Sequence, residues 1–301
     1  MPPSNPIHGQ TTKILVLNPN SSQTMTDGMR AAILDPILGL PYSTEVHTYT
    51  APPSAPASID DGADIARSTD AVLADFKYND RDAYDGILVA CFSVHPLVQK
   101  LSQLSSRAAV IGIFEASILT ALSLLPPLTP PPAPAPAPAS PQTNSYGQWQ
   151  AEQQQQQQQQ QQRWCIVTTG KFWEDHLSEG VRHFLGGSGV GTEPNSRFAG
   201  VQSTGLNASD FHNGVSPEVV RRKLKEATRR LLGSDHQTTV IVMGCAGMAG
   251  LEEIIREAAA EEVDGVFAYE VLHVVDGVRA GILQIETMIK HQRRRRPRST
   301  T

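Results

Sequence analysis

The chain has 301 residues, 40% of them hydrophobic, enough to bury a sizeable core in one large or two small domains. Its net charge is −5, and with Arg293, Arg294, Arg295, Arg296 and Arg298 concentrated at the end, the body is more acidic than that total and argues against a nucleic-acid surface. The three cysteines, Cys91, Cys165 and Cys245, are odd in number and widely spaced, so neither a disulfide framework nor a zinc knuckle is signalled.

No signal-peptide pattern opens the chain and no run reaches the roughly 18 apolar residues of a membrane span. The sequence therefore predicts a soluble cytoplasmic protein with free thiols and no membrane partner. Lys13–Asn18 is the first apolar run read as a buried parallel strand, followed by helical patterns over Ser22–Leu34 and Asp61–Phe76. Strands are then predicted at Gly86–Cys91 and Ala108–Phe114, with a helix over Pro96–Leu104 between them. From Pro126 to Pro141 the chain is mostly proline and alanine, and Gln153 to Gln162 is an unbroken glutamine run. Neither stretch carries enough apolar surface to offset the entropy of ordering it, so 126–162 reads as a disordered surface insertion. Strands resume at Trp164–Thr169 and Thr239–Cys245, with Val266–Tyr269 as a further candidate, and helices are predicted at Lys171–Phe184, Pro217–Leu232, Leu251–Glu261 and Val274–Ile289.

Strand-then-helix repetition on both sides of an insertion predicts an α/β protein of two similar lobes, each a parallel sheet flanked by helices, with a cleft between them. The expected division is 11–114 with 264–291 in the first lobe, 115–125 with 163–263 in the second, and 292–301 as a basic tail. Ligands of such sheets bind beyond the carboxyl ends of the strands. Cys91 and Cys245 sit there, each at a strand-to-helix junction, where a helix N-terminus and nearby N–H groups are expected to lower a thiol pKa. A lone strand-end cysteine more often fills a core; two in matching places raise paired catalysis as an alternative. Cys165, at the start of its strand, reads as core. His95 either polarises Cys91 or opens the next helix, Glu115 reads as structural, and His212 as a solvated or capping residue.

Further segments carry a family resemblance: ILVLNPNSSQTMT (Ile14–Thr26), LVACFSVHPLV, GIFEASI (Gly112–Ile118), IVTTGKFW (Ile166–Trp173) and VIVMGCAGMAGL. In this order they resemble the hydantoin and allantoin racemase group of the aspartate/glutamate racemase superfamily, and STGLNASDFH (Ser203–His212) is similar to its fungal members. The resemblance implies lobes related by a pseudo-twofold axis, with Cys91 and Cys245 as opposed acid/base groups. It also implies a substrate loop at Asn18, Pro19, Asn20 and Ser21, a second at Thr168 and Thr169, and N–H donors at Phe92, Ser93, Ala246 and Gly247. One departure is Ser93-Val94-His95, where many hydantoin racemases have a glycine-aspartate pair after the first cysteine.

The chemistry expected is cofactor-independent racemisation of a small molecule, a 5-substituted hydantoin-type ring such as allantoin. One group takes a proton from one face of the stereogenic carbon while the other delivers a proton to the opposite face. Neither a metal triad nor a nucleotide fingerprint is present in the sequence. Another isomerase or decarboxylase of the superfamily, or a ligand-binding protein without turnover, are the alternatives, and a homo-oligomer is compatible with all three.

Overall fold

A computed structural model describes residues 11–34, 44–76, 83–105, 107–127, 162–187, 197–212, 214–235 and 237–295. Most of the predicted insertion 126–162 and the end of the basic tail lie outside those residues. The first half forms strands β1 (Thr12–Asn18), β2 (Thr44–Thr50), β3 (Gly86–Val89) and β4 (Ala109–Gly112), all parallel, in the order β2-β1-β3-β4. The second half repeats it with β5 (Arg163–Thr168), β6 (Phe198–Ser203), β7 (Thr238–Gly244) and β8 (His273–Asp276), in the order β6-β5-β7-β8. Strands 1 and 3 of each set are the central ones, so their C-terminal ends meet the crevice where the strand order reverses.

The helices are α1 (Gln23–Ile33), α2 (Gly62–Asp75), α3 (Pro96–Leu104), α4 (Ile113–Leu124), α5 (Phe172–Phe184), α6 (Pro217–Ser234), α7 (Glu252–Glu262) and α8 (Gly277–Arg295). Their starts follow capping chemistry. Ser22 accepts the Met25 N–H, Asp61 accepts the Asp64 N–H, and Pro96 and Pro217 occupy first-turn positions where no N–H is needed.

Three apolar layers hold the sheets. Leu15, Leu17, Ile87 and Val89 pack on Val72, Leu97 and Leu101 on one side of the first sheet. Cys165, Val167, Ile241 and Met243 pack on Leu224, Leu231 and Ile255 on one side of the second, which settles Cys165 as a core residue. Between the sheets, Val16, Leu88 and Ile111 share one continuous core with Ile166, Val242 and Val275. That middle layer is supplied by two helices that cross over. Helix α4, following the first sheet, packs on β7 and β8; helix α8, following the second, packs on β3, β4 and α4. Gly281 makes the second crossing fit, because a Cβ there would run into the Leu88 side chain.

Several expectations need correction. Val266–Tyr269 is not a strand: Phe267–Val271 forms a π-helical turn with Tyr269 and Val266 exposed. The eighth strand lies just after it, so the helix expected from Val274 starts at Gly277. Because β8 pairs with β7, residues 273–276 join the second sheet and not the first-lobe stretch 264–291. The strand expected over Ala108–Phe114 ends at Gly112, and Ile113 already opens α4. Strands β2 and β6, mostly half-exposed, carry no apolar run that predicts them.

Candidate active site

The ends of β1, β3, β5 and β7 converge on one cleft, whose empty volume, including solvent at its mouth, is about 350 Å³. Cys91, two residues beyond β3, and Cys245, immediately after β7, both line it and both remain partly exposed. From the expected site residues the cleft gathers Asn20, Phe92, Thr169 and Ala246 around the thiols. The rest of its wall is Met25, Ile59, Ala90, Trp173, Ala208 and Gly244.

The other expected residues stand one layer back, and their bonds show what each does. Asn18 is fully buried; its Nδ2 donates to Asn20 Oδ1 (2.9 Å) and Thr26 Oγ1 (3.0 Å), while its Oδ1 accepts the Asn20 N–H (3.2 Å). It braces the loop and leaves Asn20 facing the cleft, with Asn20 Nδ2 3.1 Å from Met25 Sδ. Pro19 is buried within the same loop. Ser21 donates from Oγ to the Ala55 carbonyl (3.0 Å), and Thr168 from Oγ1 to the Gly244 carbonyl (3.0 Å), so both bind loops together beside the site.

Each thiol has a close polar neighbour. Cys91 Sγ lies 3.3 Å from the buried Ser93 Oγ, and Cys245 Sγ accepts the Gly247 N–H at 3.3 Å. Burial nevertheless dominates and pushes each thiol up to about 12. Ser93 at Cys91 and the Gly247 N–H at Cys245 pull the other way, and the Asp60 carboxylate raises both. The expectation of pKa values lowered by helix N-termini is therefore reversed. Helix α3 starts only at Pro96, and Cys245 precedes a single three-residue 3-10 turn, Ala246–Met248, too short to supply a developed dipole.

His95 is settled as well. It is the N-cap of α3, accepting the Leu97 N–H through Nδ1 (3.3 Å), and Nε2 pairs with Ser68 Oγ (3.1 Å). Since Ser68 Oγ donates to the Ile65 carbonyl (2.9 Å), the ring carries its proton on Nε2. Neither ring bond goes to Cys91. Glu115 lies in the first turn of α4, its carboxyl pushed up by burial, and its Oε2 is buried without a hydrogen-bond partner among the described residues. His212 is half-buried and caps the 3-10 turn Ala208–Phe211, its N–H donating to the Ser209 carbonyl (3.2 Å), while its ring packs across the lobes against Gly28 of α1, where a Cβ would collide with it.

Six wall residues carry no assigned role in the sequence: Met25, Ala90, Trp173, Ala208 and Gly244 sit inside the quoted motifs, and Ile59 lies outside them. Ile59 and Ala208 come from the loops after β2 and β6. Those two loops touch, with the Ala208 N–H donating to Asp60 Oδ1 at 3.4 Å.

The family model described as Asp/Glu/Hydantoin racemase matches residues 14–129 and 151–285. The chain belongs to this racemase family. An uncharacterised protein of Schizosaccharomyces pombe is 29% identical over 280 residues, covering 92% of each chain. A hydantoin racemase of Pseudomonas sp. (strain NS671) is 22% identical across 92% of this chain and 86% of its own. Among solved structures, an allantoin racemase from Klebsiella pneumoniae superposes with a TM-score of 0.65 over 93% of this chain and 89% of that one, at 22% identity, a likeness of fold. The racemase cleft holds no group of three or more His, Cys, Asp or Glu able to bind a metal among the described residues, and no described helix is long and apolar enough to cross a membrane.

Proposed function

We propose that the enzyme racemises an uncharged five-membered ring, a 5-substituted hydantoin such as allantoin, with Cys91 and Cys245 as opposed acid and base. One observation carries this reading: a thiol from each sheet lines a single cleft whose wall contains no lysine, arginine or histidine. Aspartate and glutamate would bring carboxylates into a largely apolar space without a cation to pair them, beside an Asp60 carboxylate that both thiols feel. A neutral ring avoids that cost. The named relatives, an allantoin racemase and a hydantoin racemase, agree with a ring substrate.

In the forward direction one cysteine, as thiolate, takes the proton from the ring carbon next to the carbonyl and becomes a thiol. The electron pair moves into the carbonyl as an enolate. The second cysteine, as thiol, then gives its proton to the opposite face and is left as thiolate, so the enantiomer is formed and charge is conserved. The Asn20 amide, the Thr169 hydroxyl and the N–H groups of Phe92 and Ala246 are the neutral donors for the enolate oxygen. The reaction needs no cofactor, and free thiols agree with a cytoplasmic enzyme.

Incubation of single enantiomers in D₂O tests the reading. Allantoin or a 5-alkylhydantoin is expected to lose optical rotation and gain one deuterium at C5, with no exchange into aspartate or glutamate. Exchange into the amino acids would overturn the ring assignment, and absence of exchange from all of them would overturn turnover itself.

A further inference from the structure

Asp276, the last residue of β8, is 5% exposed and spends both carboxylate oxygens on backbone. Its Oδ1 accepts the N–H groups of Val278 (2.8 Å) and Arg279 (3.0 Å), capping α8. Its Oδ2 accepts the N–H of Gly250 at 3.1 Å, which lies in a different part of the chain. Gly250 closes the turn that begins at Cys245: the Met248 N–H donates to the Cys245 carbonyl (3.1 Å), the Leu251 N–H to the Met248 carbonyl (3.0 Å), and Gly250 takes φ +82°, where glycine is favoured.

The next residue, Gly277, packs beside the residue that follows the other cysteine. A Cβ built there would stand 3.5 Å from Phe92 Cδ2, with Ser117 Oγ at 3.1 Å, so its bare Cα lies against the ring that follows Cys91 and lines the cleft. Two consecutive residues thus bear on both cysteine turns. The corresponding end of the first sheet has Gly112 in place of an aspartate, and the space beside it is filled by the Glu115 carboxylate folded back from α4.

We infer that Asp276 is a positioning residue that holds the Cys245 turn at its working distance from the Cys91 turn by tying Gly250 to the start of α8. This rests on the two-thiol reading above. Asymmetry follows from it, because the tie acts on one thiol directly and on the other only through packing.

The replacement Asp276→Asn isolates the tie. Its carbonyl oxygen still caps α8, as asparagine does well, but its amide presents N–H to the Gly250 N–H and cannot accept it. Iodoacetamide labelling, followed peptide by peptide, should then show the Cys245-to-Cys91 rate ratio rise about tenfold, the order expected for losing one charge-assisted hydrogen bond. In D₂O, deuterium uptake should slow for one enantiomer and hold for the other. If that variant fails to fold, Asp276→Ser serves, keeping a capping oxygen too short to reach Gly250. An unchanged labelling ratio, or equal slowing of both enantiomers, overturns the proposal. Should the unsubstituted enzyme exchange no substrate, the functional reading falls, while the labelling ratio still decides the positioning role.

Discussion

Acidification from neutral pH to about 5 should destabilise the protein, with His95 the histidine shifted to about 4 and the measurable contributor. The ring is 3% exposed, and burial lowers its pKa from 6.5 to about 4. The charged form is thus disfavoured in the folded state, and protonating Nδ1 also removes the acceptor for the Leu97 N–H. With the folded pKa depressed, the unfolded chain binds the extra proton first. The stabilisation is complete above pH 6.5 and is lost as pH falls through the window down to about 4. Two and a half pKa units correspond to about 3 kcal/mol in all, of which about 2 kcal/mol is gone by pH 5. Urea unfolding at a series of pH values measures it, with His95→Asn as the comparison. Asparagine caps a helix without titrating in this range, so carboxylate contributions common to both proteins cancel and the variant's stability should fall by about 2 kcal/mol less between pH 7 and 5. Parallel curves for the two proteins would refute the reasoning. Since α3 begins just past Cys91, the same protonation should loosen the first thiol's turn before the fold is lost.

The thiols lend themselves to three further tests. Cys91→Ser and Cys245→Ser should each lower racemisation by about 100-fold or more while deuterium exchange persists for a single enantiomer, because one face keeps its base. Cys165→Ser, in the core of the second sheet, should cost about 1–3 kcal/mol in stability yet leave turnover per folded molecule intact, and kinetics normalised to folded protein would check both halves of this. With both thiols raised by burial, the mixed thiolate–thiol state is a minor species at neutral pH that grows as pH rises. Values of kcat/KM should therefore climb about tenfold per pH unit from about pH 7 to 9, and a plateau already reached below about pH 8 would contradict the upward shifts.

What the sequence reveals depends on how completely an element is buried. Strands β3 and β7, whose residues are all buried, are continuous apolar runs and were legible, and with them the two strand-end cysteines. Strand β2, TEVHTYT, and β6, FAGVQS, lie at sheet edges with mostly half-exposed residues, so no hydrophobic pattern marks them. VFAY misled because its apolar side chains stay largely outside the core, on a turn. In the site, strand ends pointed to the right loops but not to side-chain direction: Asn18 and Asn20 look equivalent as letters, yet one braces and the other faces the cleft. The reversal of the thiol pKa values had no local signal, since it comes from residues such as Met25 and Ile59 that only the folded chain brings over Cys91 and Cys245.

The guanidinium of Arg197, at the entry to β6, donates to the carbonyl of Pro126 (2.7 Å) and to that of Gln162 (3.2 Å). Those two residues bound the proline- and glutamine-rich stretch, so the chain departs and returns within the reach of one side chain. The family match breaks off at residue 129 and resumes at 151, within the same excursion. Because the ends are already clasped, further length costs only a slowly growing logarithm of chain entropy and transmits no strain to either sheet. Arg197 thereby marks an address where added length, or a grafted peptide or reporter, is expected to leave the cleft at the opposite end of β5 undisturbed.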